Sequence, residues 1–329
     1  MQYAHYIKEV GRGAQGSRHL SFDEAKQVYA AMLDGGVPEL ELGALLIAWR
    51  VKGESFDEML GFLAAMDERT SHFDLPHGRV RPVVLPTYNG ARKEANLTPL
   101  LALLLQRFGV PVLVHGLLEG YGRVTSGHVF RELGVMPSAS AMQAELALEN
   151  NGLAFVPLNA ICPGVHNLLG LRARMGVRNS AHSLVKMIDP FRGRAVLVAA
   201  ATHPDFIDLM SALMLARGQD GLVLRGTEGE PFANPKRRPR IAYAHDGQNE
   251  LLFEAEHDSL RTLPHLPEAI DAASTARWIR KVLDHQLPLP KPIANQLACC
   301  LYAAGYAEDL NQAKAIVAVE ANGVSSVTA

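Results

Sequence analysis

Pro86-Thr87-Tyr88-Asn89-Gly90-Ala91-Arg92-Lys93 joins a short apolar run, Val83-Val84-Leu85, to a helix-like run that begins at Asn96-Leu97-Thr98. A loop between a strand and a helix is where α/β proteins commonly hold a phosphate, using backbone N–H groups and the positive end of the helix dipole. This loop has a single glycine and two adjacent cations. It reads as a phosphate loop in which the small-ligand cradle has been exchanged for charge.

Upstream of the loop the pattern is helical. Ser21-Phe22-Asp23-Glu24 has capping-box spacing, and the run after it carries Ala25, Val28, Tyr29, Met32 and Leu33 on one face until Gly35-Gly36 stops it. Two further helices are expected over 40–51 and 56–67, so residues 1–70 read as a small helical domain. From about residue 80, β-rich runs at 83–85, 110–114, 154–156, 195–198, 221–224 and 240–243 alternate with helical runs at 97–108, 129–133, 139–150 and 205–216. That alternation predicts an α/β domain over 71–329 with a mainly parallel sheet. Residues 226–239, rich in Gly, Pro and Arg/Lys, are expected to form an exposed loop. Three helical runs close the chain, the first two separated by Pro288, Pro290 and Pro292.

The chain has 329 residues, 48% of them hydrophobic, and a net charge of −2. Such a composition supports a sizeable core and excludes attraction of nucleic acid by bulk basicity, so a polyanion site needs local segregation of charge. The three cysteines, Cys162, Cys299 and Cys300, form neither a metal pattern nor an even disulfide set. No leader-like apolar segment opens the chain and no run of about eighteen apolar residues occurs, so a cytoplasmic protein with no membrane partner is expected. Gly11-Arg12-Gly13-Ala14-Gln15-Gly16 matches the dinucleotide pattern, but a short charged segment stands where a strand is required, so it is read as a surface loop.

Gly35-Gly36-Val37-Pro38-Glu39-Leu40-Glu41-Leu42-Gly43-Ala44-Leu45-Leu46-Ile47-Ala48-Trp49-Arg50-Val51-Lys52-Gly53-Glu54-Ser55 resembles the helical domain of anthranilate phosphoribosyltransferase. The resemblance continues through Val114-His115-Gly116, Leu133-Gly134-Val135, the 171–178 segment and Gln219-Asp220-Gly221-Leu222, in the family's order. The loop Tyr88-Asn89-Gly90-Ala91-Arg92-Lys93 is similar to that of the YbiB group, a DNA-binding branch of these proteins. The resemblance implies a class-IV phosphoribosyltransferase-like fold, residues 164–190 packed on the helical domain, and a homodimer assembled through that domain.

The departures from the family are chemical. Its pyrophosphate loop, Gly-Thr-Gly-Gly-Asp, matches Thr87-Tyr88-Asn89-Gly90-Ala91, where bulkier residues replace glycines. Its Lys-His-Gly-Asn motif is Val114-His115-Gly116-Leu117, and its metal-binding Asp-Glu pair falls at Val223-Leu224. Glu228 and Glu230 are the nearby carboxylates. Magnesium needs hard oxygen ligands, so neither a metal nor another cofactor is expected, and no catalytic residue is assigned. Asn89, Gly90, Asn96 and Thr98 remain as a residual anion site.

Cations accumulate instead. Arg172, Arg174, Arg178, Lys186, Arg192 and Arg194 face only Asp189 over 172–194, a net +5, and Lys236-Arg237-Arg238 forms a second cluster. With Arg92 and Lys93, these are the expected phosphate contacts for DNA, with RNA the other candidate ligand. Tyr88, Tyr121 and Phe191 are the few aromatics near them, so little base stacking and little sequence preference are expected. The other reading is a divergent phosphoribosyltransferase or nucleoside phosphorylase.

Overall fold

A computed structural model describes residues 3–13, 15–74, 80–256 and 265–321. The chain divides into two compact units, one formed by 1–72 with 158–190 and the other by 73–157 with 191–329.

The first unit is helical. Tyr3–Val10, Phe22–Leu33, Glu39–Lys52 and Phe56–Asp67 are its longer N-terminal helices, and Pro163–Gly170 is the longest of the returning segment. Ser21 and Ser55 each start a helix with a complete capping box, closed by Glu24 and Glu58. The Phe22–Leu33 helix buries Ala25, Val28, Tyr29, Met32 and Leu33. Tyr29 stacks on Phe62 at 4.3 Å and Trp49 meets the same ring edge-on at 4.9 Å. A Cβ on Gly164 would lie 2.4 Å from the Leu33 carbonyl oxygen, so glycine permits that close approach. The Gly11–Gly16 segment follows a helix, not a strand, which removes the dinucleotide turn; its Ala14 lies outside the described residues.

The second unit is built on a sheet of β1 (Val83–Thr87), β2 (Val112–Gly116), β3 (Leu153–Pro157), β4 (Val196–Ala201), β5 (Gly221–Arg225), β6 (Ile241–His245) and β7 (Gln248–Phe253). The order is β3-β2-β1-β4-β5-β6-β7, with the first five strands parallel and the last two antiparallel. β1 to β4 are buried throughout, as continuous apolar runs covered on both faces should be. β7 has no apolar alternation to announce it. The sign of it is Asp246-Gly247, both at positive φ, the two-residue hairpin turn that reverses the chain after β6.

The strand order changes direction between β1 and β4. Loops leaving the carboxyl ends of strands at such a switch point surround the usual ligand position of an open parallel sheet. The 88–97 loop leaves β1 there, and the 226–239 segment leaves β5 at the same edge. Among the described residues no helix is long and apolar enough to cross a membrane.

Candidate functional site

The loop after β1 is held by its neighbours. Ala91 and Val124 form an antiparallel bridge, with N–H···O distances of 2.9 and 2.8 Å. Gly90 sits at φ 63, and a Cβ there would come 2.9 Å from Arg123 Cβ. Asn96 Oδ1 accepts from the Thr98 N–H at 3.2 Å just before the Thr98–Arg107 helix.

The segment after β5 folds back onto this loop. Gly226 makes the reversal possible, since a Cβ there would lie 2.0 Å from the Glu230 carbonyl oxygen. Phe232 and Ala233 enter the core, and Gln296 accepts from the Ala233 N–H at 2.7 Å and donates to the Pro231 carbonyl at 2.9 Å. The expectation of an exposed 226–239 loop is therefore corrected. Thr227 and the whole of 229–233 are buried because apolar burial and the Gln296 bonds outweigh the loop-like composition.

This fold-back delivers two carboxylates to the anion loop. Glu230 is 0% exposed. One of its oxygens accepts from the N–H groups of Asn89 at 2.7 Å and Gly90 at 3.0 Å. The other accepts from the Thr87 hydroxyl and from Asn96 Nδ2 at 3.3 Å, with the Ser126 hydroxyl 3.4 Å away. Glu228 stands at the rim, where its Oε1 accepts from three consecutive N–H groups, Arg92 at 3.1 Å, Lys93 at 2.8 Å and Glu94 at 3.1 Å. Its other oxygen is 3.9 Å from Arg123 Nη1. Burial works against the charged form of Glu228, but the amides of Lys93, Arg92 and Glu94 and the Arg123 charge outweigh it and hold its pKa below the usual carboxylate range.

Several sequence expectations change here. Val223 and Leu224 are buried strand residues, and the carboxylates that the segment after β5 brings to the loop are Glu228 and Glu230, four and six residues beyond Leu224. Asn89, Gly90 and Asn96 do surround an anion, but it is the protein's own. Thr98 is not among that anion's donors, and its buried hydroxyl has no hydrogen-bond partner among the described residues. His115 is buried at the end of β2, with Nδ1 against the Tyr88 hydroxyl. Phe191 is buried edge-on against Phe73 at 5.7 Å, so it offers no face to a base, whereas Tyr121 is exposed.

The expected cations do not form one set. Arg172, Arg174, Arg178 and Lys186 belong to the helical unit, whereas Arg192 and Arg194 belong to the sheet unit. In the helical unit, His182 is pushed down to about 4 by burial and then by the charges of Arg178 and Arg172, so it is neutral at pH 7 in a positive environment. Arg172 is exposed and Arg178 half-buried. Lys186 is only 6% exposed, a correction to its expected role, because a buried ammonium is not presented to an external backbone. Arg174 makes a two-pronged bond to Glu39 at 3.1 and 3.0 Å.

In the sheet unit, Arg92, Lys93, Arg192 and Arg237 are exposed. Arg194 is engaged by the Phe73 carbonyl at 2.8 Å and by Asp74 at 3.2 Å. Lys236 pairs with Glu94 at 2.7 Å. Arg238 pairs with Glu256 at 3.4 Å and lies 5.0 Å from the centre of the Phe253 ring. These three are partly neutralised where they stand. Two cations missed in the sequence lie at the loop edge of the sheet: Arg123, beside Glu228, and exposed Arg225, the last residue of β5. A cation ending a parallel strand, or following a Gly-rich turn after one, is the signal that points to them.

Residues 4–70 match the family model described as the glycosyl transferase family, helical bundle domain. The Escherichia coli K12 protein YbiB is 43% identical over 318 residues, which cover 96% of this chain and 99% of that protein. Anthranilate phosphoribosyltransferase of Methanopyrus kandleri is 24% identical over 305 residues, covering 91% of this chain and 88% of that enzyme. The crystal structure of anthranilate phosphoribosyltransferase from Thermus thermophilus superposes with a TM-score of 0.79 at 23% identity, over 98% of this chain and 95% of the other. A Saccharomyces cerevisiae enzyme of the same name, solved with PRPP and Mg, gives 0.72 at 14% identity, over 98% and 93%. A near full-length match at this identity, on a fold of helical bundle plus mainly parallel sheet, places the chain in the family of E. coli YbiB, on the anthranilate phosphoribosyltransferase fold.

Proposed function

We propose that this protein binds nucleic acid through phosphate contacts and does not transfer phosphoribosyl groups. One observation carries the reading: the buried Glu230 carboxylate fills the turn amides and side-chain donors where a phosphoribosyltransferase-like loop would receive a diphosphate. A diphosphate brought to the same donors meets a negative charge at contact distance in a water-poor site, where repulsion is strong. Magnesium does not fit these donors either. The groups facing Glu228 and Glu230 are N–H donors, hydroxyls and a guanidinium, and among the described residues no cluster of three or more His, Cys, Asp or Glu side chains is arranged to hold a metal. The exposed cations that could meet phosphates include Arg92, Lys93, Arg192, Arg225 and Arg237 in the sheet unit and Arg172 in the helical unit. Phosphate contacts of this kind give steep salt dependence and little sequence preference.

The partner copy belongs to the same proposal. The Glu39–Lys52 helix exposes Leu40 at 82%, Ile47, and Val51 at 77%, spaced along one helical face. A two-fold dimer through this face covers the stripe and doubles every cationic patch. Fluorescence anisotropy of labelled single- and double-stranded oligonucleotides, DNA and RNA, over a series of salt concentrations tests the reading. Binding of unrelated sequences with a log–log slope of several units is expected. Absence of binding at the lowest salt refutes it.

A second reading, phosphoribosyl transfer, is favoured by the near full-length similarity to anthranilate phosphoribosyltransferases and by the cations around His182, which suit a small carboxylate. Calorimetry with phosphoribosyl pyrophosphate and magnesium separates the two: heat of binding supports transfer, and silence at millimolar ligand supports the binder.

A further inference from the structure

Glu228 and Glu230 lie two residues apart but are held in different ways. Glu230 is fully buried, and its two oxygens are fixed by donors from the 87–96 stretch and from Ser126. Glu228 keeps 15% of its side chain exposed, at the mouth of the loop. Three successive amides converge on one of its oxygens. Such a concavity of N–H groups is an anion nest, and a phosphate oxygen satisfies it as well as a carboxylate oxygen does. Arg92 and Lys93 supply two of the three amides, and both carry exposed cationic side chains. Arg123 Nη1 stands 3.9 Å from the second oxygen of Glu228.

The backbone that carries Glu228 is held by bonds other than those of its carboxylate. Glu228 adopts φ 53, ψ 19, the left-handed region that L-residues other than Asn and Asp seldom occupy. Its own carbonyl accepts from Asn89 Nδ2 at 2.8 Å, so the turn stays anchored when the side chain rotates away. Burial of Phe232 and the Gln296 bonds hold the rest of the segment in place. The carboxylate can therefore leave the nest without unfolding the loop.

We propose that the Glu228 carboxylate is an exchangeable latch on the Arg92–Glu94 amide nest, displaced by a backbone phosphate when nucleic acid binds. The proposal rests on the nucleic-acid reading above and names the place where one phosphate enters and the group that competes with it. Side-chain cations draw the strand in, the displaced carboxylate turns to solvent, and the amides fix one phosphate by position as well as by charge. The latch also keeps small free anions out of the nest until a polyanion, held by several cations at once, competes successfully.

The test compares wild type, Glu228→Ala and Glu228→Gln in two assays. In oligonucleotide anisotropy, Glu228→Ala is expected to bind about tenfold tighter, the size of one charge-assisted hydrogen bond no longer competed for. Its salt slope stays that of wild type, since the same phosphate fills the nest in both complexes and only the competing carboxylate is gone. Glu228→Gln, with the shape kept and the charge removed, falls between, and it carries the test alone if Glu228→Ala does not fold. In the second assay, inorganic phosphate is titrated against the amide resonances of Arg92, Lys93 and Glu94. These shift at lower phosphate in the variants than in wild type. If the variants bind oligonucleotide no tighter than wild type and phosphate leaves the three resonances unmoved, the latch is refuted while the nucleic-acid reading stands. If no form binds oligonucleotide but phosphate moves the resonances only in the variants, the nucleic-acid reading falls and the latch stands as a gate for free phosphate.

Discussion

The loop edge of the sheet unit and the 172–186 segment of the helical unit solve opposite electrostatic problems. At the loop, backbone amides and hydroxyls converge and the protein supplies the anion itself, through Glu230 inside and Glu228 at the rim. In the 172–186 segment, cations converge and the titratable group among them, His182, is kept neutral. The first arrangement spends a negative charge to satisfy buried donors. The second gives up a positive charge to avoid like-charge repulsion and desolvation. A site rich in donors is thus not necessarily a site open to a ligand: its occupancy depends on which charges the fold itself brings there.

The largest expected effect is on the inner carboxylate. Glu230→Ala strands the amides of Asn89 and Gly90, the Thr87 hydroxyl and the Asn96 amide in a buried place, and should cost about 3 kcal/mol or more in chemical denaturation of the sheet unit. A loss below about 1 kcal/mol would mean that the donors find other partners and that Glu230 is not what keeps the loop closed.

Acid titration probes the other side of the comparison. The folded pKa of His182, about 4, lies below its unfolded value of about 6.5. The unfolded state therefore binds the proton first, and stability of the helical unit falls as pH drops from about 6.5 towards 4. Glu228 behaves differently. Its folded pKa is also depressed, so its contribution is fully present above the unfolded carboxylate value, about 4.3, and is lost only below that. Thermal melts across this range should show an early slope that Glu228→Gln leaves unchanged and His182→Gln flattens. A slope that survives His182→Gln would assign it to another group.

A smaller change is expected from the exposed cations. Arg92→Ala with Lys93→Ala should weaken oligonucleotide binding about equally for all sequences and flatten the salt slope by about 0.7–0.9 unit per lost contact. An unchanged slope in a folded variant would remove the loop from the binding surface. Least of all is the backbone difference at Glu228: Glu228→Gly should be about 0.5–1 kcal/mol more stable than Glu228→Ala, since glycine relieves the positive φ and both lose the carboxylate. Equal stabilities would show that the left-handed turn is not strained.

Much of the architecture was legible residue by residue. The buried face of the Phe22–Leu33 helix follows from 3.6-residue spacing, and its start from the Ser21–Glu24 box. The apolar runs of the central strands sit where burial on both faces requires them. The 226–239 segment misled because Gly, Pro and Arg describe a loop locally, while Phe232 and Ala233 commit it to the core. β7 escaped because its pairing depends on β6 and a two-residue turn, not on a pattern of its own.

By itself the sequence determined strands β1 to β6, the longer helices, the phosphate-like position of the 86–93 loop and the loss of its glycines, because each of these depends on neighbours within a few residues. Tertiary structure alone decided that Glu230, 140 residues from Gly90, answers the loop's amides, that Lys186 is buried, and that the 172–194 cations divide between two units. The physical reason is range. Propensity and capping act along the chain, whereas the pairing of a buried charge is chosen by whatever distant donor the packed core brings within hydrogen-bonding distance.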